Sequence, residues 1–124
     1  MGVPLKSYRE LRVWQRTMDL LKLIYEETRK LPSEERFGLT QQMRRAAVSV
    51  PSNIAEGYGR RYRKEYLKFL SDSYGSLYEL ETQVLACQML GYGLQYEPVL
   101  HEIDQVSRQL SALQTGLNRI ERNP

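Results

Sequence analysis

The chain is nearly empty of the residues on which metal and redox chemistry depend. It has one cysteine, Cys87, so no internal disulfide can form, and a reducing, cytoplasmic compartment is expected. One histidine, His101, cannot build a structural zinc site, which needs several Cys and His ligands. A di-iron bundle needs two Glu-x-x-His motifs, and the residue three before His101 is Pro98. No Gly-x-x-x-x-Gly-Lys phosphate loop and no Gly-x-Ser-x-Gly elbow occurs. His101 sits beside Glu102 and Asp104 and reads as a solvated helix residue. No catalytic residue, metal ligand or cofactor is therefore expected. No apolar run reaches the roughly 18 residues of a membrane span. The start, MGVPLKSYRE, lacks an apolar signal core, and Lys6 breaks the myristoylation pattern.

What is present is a soluble, globular composition: 41% hydrophobic and 27% charged over 124 residues, the size of one domain spanning 1–124. The net charge of +3 is mild but unevenly spread. Residues 1–43 carry +2, residues 44–68 carry +5, and residues 69–124 carry −4. Such a basic block serves an external anion or pairs helices within an oligomer.

Four amphipathic helices account for the pattern, roughly 8–31, 39–59, 62–90 and 97–121. Ser7 and Glu10 have the spacing of a capping box for the first. That helix has two apolar faces: Leu11, Trp14, Met18, Leu21 and Tyr25, then Val13, Leu20, Ile24 and Leu31. So wide an arc predicts burial by more than one neighbour. Pro32 closes it, and Gly38 permits the bend into the second helix.

The second helix carries its stripe on Leu39, Met43, Ala46, Ala47, Val50 and Ile54. Pro51 removes a backbone donor opposite the Ala47 carbonyl, which predicts a kink. Short polar side chains nearby can serve the freed carbonyl. Gly57 and Gly59 are expected to end the helix by left-handed capping. Arg45, Ser49, Ser52, Asn53 and Glu56 make a second, polar stripe, read as a structural network that fixes register. Arg45 and Glu56 are three turns apart, so each needs a partner elsewhere.

The third helix has a heptad seam: Tyr66, Leu70, Ser73, Leu77, Leu80, Val84 and Cys87. Cys87 reads as a small apolar filler there. Leu67, Tyr74, Tyr78 and Leu85 occupy an adjacent face. Gly75 and Ser76 suggest close helix approach. The fourth repeats the seam on Val99, Ile103, Val106, Leu110, Leu113, Leu117 and Ile120. Short connections then predict an all-α, antiparallel, up-down-up-down four-helix bundle. The excess apolar surface predicts self-association, with Trp14, Met18, Tyr25, Tyr74 and Tyr78 as the interface candidates.

Anion binding is better supplied than catalysis. Arg60, Arg61, Arg63 and Lys64 cluster at the junction of helices two and three, interleaved with Tyr58, Tyr62 and Tyr66. Arg44, Arg45 and Lys68 are candidates to extend the patch. Lysine and arginine neutralise phosphates, and aromatic faces such as Tyr58 and Tyr62 stack on unpaired bases.

The run QQMRRAAVSVPSNIAEGYGR, with LRVWQ and ERFGL before it and YLKFL and GSLYELETQ after it, resembles the 23S rRNA intervening-sequence protein family. The likeness covers roughly Tyr8 to Ile120. It implies a four-helix bundle assembled as a ring-like homopentamer, encoded in bacteria within insertions of 23S rRNA genes. A related branch, the accessory variability determinants of diversity-generating retroelements, binds a reverse transcriptase and nucleic acid. Two expectations follow. One is a non-catalytic, homopentameric protein that binds RNA or DNA through its basic patch. The other is a scaffold or accessory subunit that docks a partner enzyme such as a reverse transcriptase. No membrane partner is expected.

Overall fold

The computed structural model describes residues 7–122, with side chains described as far as Arg119. Among these the structure is all helical: α1 Arg12–Thr28, α2 Leu39–Tyr58, α3 Arg63–Met89 and α4 Tyr96–Arg122. Each helix packs on its chain neighbour, and α4 closes back on α1, as in a four-helix bundle. Between α2 and α3 the partners run in opposite numerical senses: Met43 meets Cys87, Ser49 meets Ser76, and the Val50 carbonyl meets Ser73.

The core is the set of seams read from the sequence. Leu70, Leu77, Leu80, Val84 and Cys87 of α3 are fully buried, as are Val99, Ile103, Val106 and Leu110 of α4. From α2 come Met43, Ala46, Ala47, Val50 and Ile54. Leu113 and Leu117 pack against this core from its edge, while the Ile120 side chain lies outside the described residues. Of the two apolar faces of α1, Val13, Leu20 and Ile24 turn inward. Thr17 and Thr28 join them because each hydroxyl donates to its own helix, to Trp14 O at 2.6 Å and Ile24 O at 2.7 Å. A buried hydroxyl with an acceptor in reach avoids the desolvation penalty.

Several local expectations are corrected. Ser7 accepts from Arg9 N and caps a separate 3-10 turn, Tyr8–Glu10. Leu11 is extended (φ −69°, ψ 125°), so α1 begins only at Arg12 and no capping box forms. It also ends at Thr28, before a turn that brings Leu31 under the bundle. Gly59 ends α2 with φ −78°, so left-handed capping is not why it is glycine. Gly57 lies inside the helix, where a Cβ would come within 2.7 Å of Phe69 Cβ and 3.0 Å of Tyr66 Cδ1. Its role is to let α3 approach α2. Among the described residues the left-handed glycine is Gly91 (φ 82°), just past α3. Gly75 has nothing within 4 Å, so close approach inside this chain does not explain it. Its neighbour Ser76 does face α2, through the 2.8 Å hydroxyl pair with Ser49.

α2 continues through Pro51 as one helix. The side chains around it serve carbonyls other than that of Ala47. Ser52 donates to Val48 O, Asn53 to Ser49 O, and Ser73 of α3 to Val50 O.

Candidate nucleic-acid interface

Four residues, Gly59 to Tyr62, carry the chain from α2 into α3. So short a turn forces the cations of residues 60–64 onto one end of the bundle. Arg60 is the best anchored. Its guanidinium lies 4.6 Å from the Phe69 ring centroid and 3.9 Å from the Glu56 carboxylate. Arg61 lies over the Tyr62 ring at 5.8 Å. Arg63, Lys64 and Lys68 are exposed and have no ion pair among the described residues.

Helix electrostatics make this placement costly. Arg63 and Lys64 occupy the first turn of α3, at the positive pole of its dipole, with only Glu65 opposing them. A cation there costs about 0.3–1 kcal/mol. The N-cap, Tyr62, makes no side-chain cap bond. An anion resting on this turn would meet free backbone N–H groups, the dipole and several cations together.

The two stacking candidates differ. Tyr62 is 61% exposed and presents its ring to solvent. Tyr58 is half-buried, edge-on to Tyr66 at 6.1 Å. Burial, with Tyr58 beside it, pushes the Tyr66 hydroxyl up to about 12. Tyr58 and Tyr66 thus brace the base of the turn.

Arg44 and Arg45 do not join this patch. Arg45 lies thirteen positions before the end of α2 at Tyr58, or about 20 Å of helix. Arg44 is bound instead to α1. It donates to Thr28 Oγ1 at 2.9 Å and stacks 4.6 Å over the Tyr25 ring. Arg45 is exposed and unpaired among the described residues. The expected polar network is likewise divided. Ser49, Asn53 and Ser76 are joined, with Asn53 Nδ2 3.0 Å from Ser49 Oγ. Ser52 bonds within its own helix, Glu56 turns to Arg60, and Arg45 stands apart. Gln83, buried close by, has an Oε1 with no donor.

The self-association candidates fall on two separate faces. Trp14 and Met18 line a shallow groove of about 260 Å³ between α1 and α2, with Val48 and Pro51 opposite. Met18 is 40% exposed there. Tyr25 belongs to the same side but lies under Arg44. Tyr74 and Tyr78 stand edge-on at 5.0 Å on the α3–α4 side, where Tyr74 OH meets Ser107 Oγ at 2.8 Å. Within one chain, the described acids of α4 pair elsewhere than with the central basic block. Glu102 takes Arg16 of α1 at 3.1 Å, and Asp104 takes Arg108 at 2.8 Å.

Among the described residues no group of three or more His, Cys, Asp or Glu could hold a metal ion. No described helix is long and apolar enough to cross a membrane. Cys87 is free and buried against Met43, and burial pushes its thiol up.

A profile of 23S rRNA-intervening sequence proteins matches residues 9–112. The chain belongs to that family. No curated protein matches it. A solved structure similar to this intervening-sequence protein is a protein of unknown function from the S23 ribosomal protein family of Bacteroides thetaiotaomicron. It superimposes with a TM-score of 0.76 at 18% identity, over 83% of this chain and 95% of that one. At that identity the likeness concerns the fold alone.

Proposed function

We propose that this intervening-sequence protein is a non-catalytic, cytoplasmic homo-oligomer that binds RNA through the α2–α3 junction. The observation that carries the reading is the set of exposed, unpaired cations, Arg63, Lys64 and Lys68, on the positive end of α3, with Arg60 and Arg61 beside them. Cations placed against a helix dipole are relieved by a polyanion, and Tyr62 offers a ring for an unpaired base. By the resemblance such proteins are encoded within insertions of 23S rRNA genes, which makes the transcript of such an insertion the RNA to test first. Trp14 with Met18, and Tyr74 with Tyr78, supply two distinct half-exposed faces. A closed ring joined head to tail needs two such faces on each copy. Repeating a weak patch around a ring, five copies by the family resemblance, raises avidity without any new contact.

The test is RNA binding by fluorescence anisotropy across a salt series. Log affinity should fall linearly with log salt. Reversing Arg60, Arg61, Arg63 and Lys64 together to Glu should weaken binding at least about a hundredfold while the oligomer persists. Unchanged binding by that variant overturns the assignment.

A second reading, a scaffold that docks a partner enzyme, draws on the other end of the molecule. Phe37, Met89 and Leu90 are exposed there. Protein that purifies free of nucleic acid and shifts no RNA on a gel favours this reading.

A further inference from the structure

We propose a second site, a nucleoside-phosphate groove at the start of α2, separate from the junction and not dependent on its reading. The groove has a volume of about 710 Å³, within the roughly 300–1,000 Å³ range of small-molecule sites. Its walls are Tyr25 of α1, Arg36 and Phe37 of the preceding turn, and Arg44, Arg45 and Val48 of α2.

Three arginines thus line one cavity, and no carboxylate lies within ion-pair distance of any of them among the described residues. Two of the nearby acids are already engaged, and Glu79, which borders an adjoining groove with Arg45, makes no ion pair with it. Glu27 takes Lys30 and the Gln95 amide, and Glu35 takes Tyr92 and the Leu39 amide. Arg44 is the informative member. It is half-buried, and Thr28 Oγ1, Tyr25 O and the Tyr25 ring fix its orientation. A guanidinium has five donors, so the edge not used by α1 remains for a ligand. A partly buried charge without a counterion is unfavourable, and a bound anion removes that penalty. Three arginines match a phosphate dianion better than a single carboxylate.

The rest of the cavity fits a flat body attached to that phosphate. Phe37 is 78% exposed, with Arg36 5.3 Å from its centroid on one side. An aromatic ring left this open offers a face on which a base can stack. Thr40 and Gln41 also border the cavity and bring the donors and acceptors that a base edge needs.

The probe is adenosine monophosphate, titrated calorimetrically into the full-length protein. One nucleotide should bind per chain, and adenosine or inorganic phosphate alone should each bind at least about tenfold more weakly. Phe37→Ala and Arg45→Glu change exposed residues, so folding should survive while nucleotide affinity falls about tenfold or more. Arg44→Lys keeps the charge and loses the fork, and should weaken binding similarly. Arg63→Glu with Lys64→Glu should leave nucleotide binding unchanged. The groove assignment is overturned if the nucleotide gives no heat at millimolar concentration, or if Phe37→Ala has no effect. It is equally overturned if phosphate alone binds as well, if the junction variant abolishes binding, or if an acidic aromatic peptide binds more tightly than the nucleotide.

Discussion

Where α2 passes into α3 the chain turns in four residues and exposes cations. At the opposite end the connections are longer, ten residues from Arg29 to Gly38 and six from Leu90 to Gln95, and carboxylates hold them together. Glu27, 5% exposed at the end of α1, accepts the Gln95 amide at 2.7 Å and Lys30 at 2.9 Å. Glu35 accepts Tyr92 OH at 2.8 Å and the Leu39 amide at 3.1 Å. Each carboxylate therefore ties one connection to another part of the chain. At the junction end the acid pair Glu56 with Arg60 is exposed and 3.9 Å long. A carboxylate-tied end and a cation-rich end in one bundle would, on the proposed reading, separate holding the fold from meeting an anion. Exposed pairs are worth about 0–1 kcal/mol, so the junction gains little stability from its charges.

Breaking the tied end should have the largest effect on folding. Glu27→Ala removes a charge-assisted bond and leaves the Gln95 amide without its acceptor, which should cost about 3 kcal/mol. Urea denaturation measures that loss. Hydrogen exchange should show faster opening of residues 90–95 and no change at 59–62. Glu27→Gln keeps an acceptor and should recover part of the stability. Equal loosening of both ends would mean that the two are not independent.

A tyrosine at each end titrates near the same value for different reasons, which sharpens the contrast. Tyr92 is pushed up to about 12, first by its hydrogen bond to the Glu35 carboxylate. Tyr66 reaches about 12 chiefly through burial. Both are raised above the ordinary tyrosine value near 10, so their contribution to stability is complete below about pH 10 and is lost as pH climbs toward 12. Glu35→Gln should return the Tyr92 ring titration, followed by NMR, toward its ordinary range and leave Tyr66 unmoved. A shift in both would contradict separate causes.

How much of this was legible depended on whether the signal was local. The seams of α3 and α4 follow a 4-and-3 spacing, and a heptad needs no knowledge of its partner to be read. The cations at 60–64 are adjacent in sequence, so they had to be adjacent in space. Reading failed where geometry over distance decides. Arg44 and Arg45 belong to the same charged block as Arg60, yet helical rise carries them about 20 Å away. α1 has two apolar faces, and periodicity cannot rank them; the inward one also carries Thr17 and Thr28, whose hydroxyls bond to their own helix. The bonds of Glu27 to Gln95 and Glu35 to Tyr92 span 68 and 57 residues, and no local pattern announces them. Gly57 shows the same limit, because a glycine needed for close packing looks the same in sequence as one needed for a left-handed cap.

Gly75 carries the smallest expected effect and addresses the open faces between the two ends. It lies in the middle of α3 with nothing within 4 Å, one residue from Tyr74 and three from Tyr78. In an exposed helix interior, glycine is about 0.8–1 kcal/mol less favourable than alanine. If that face meets only water, Gly75→Ala should raise stability by about that amount, read from the urea midpoint, with no change in mass by light scattering. If a second copy packs there, the added methyl should instead lower the concentration-dependent stability of the oligomer while the isolated chain gains. The sign of one methyl group thus reports whether the Tyr74–Tyr78 face is a surface or an interface.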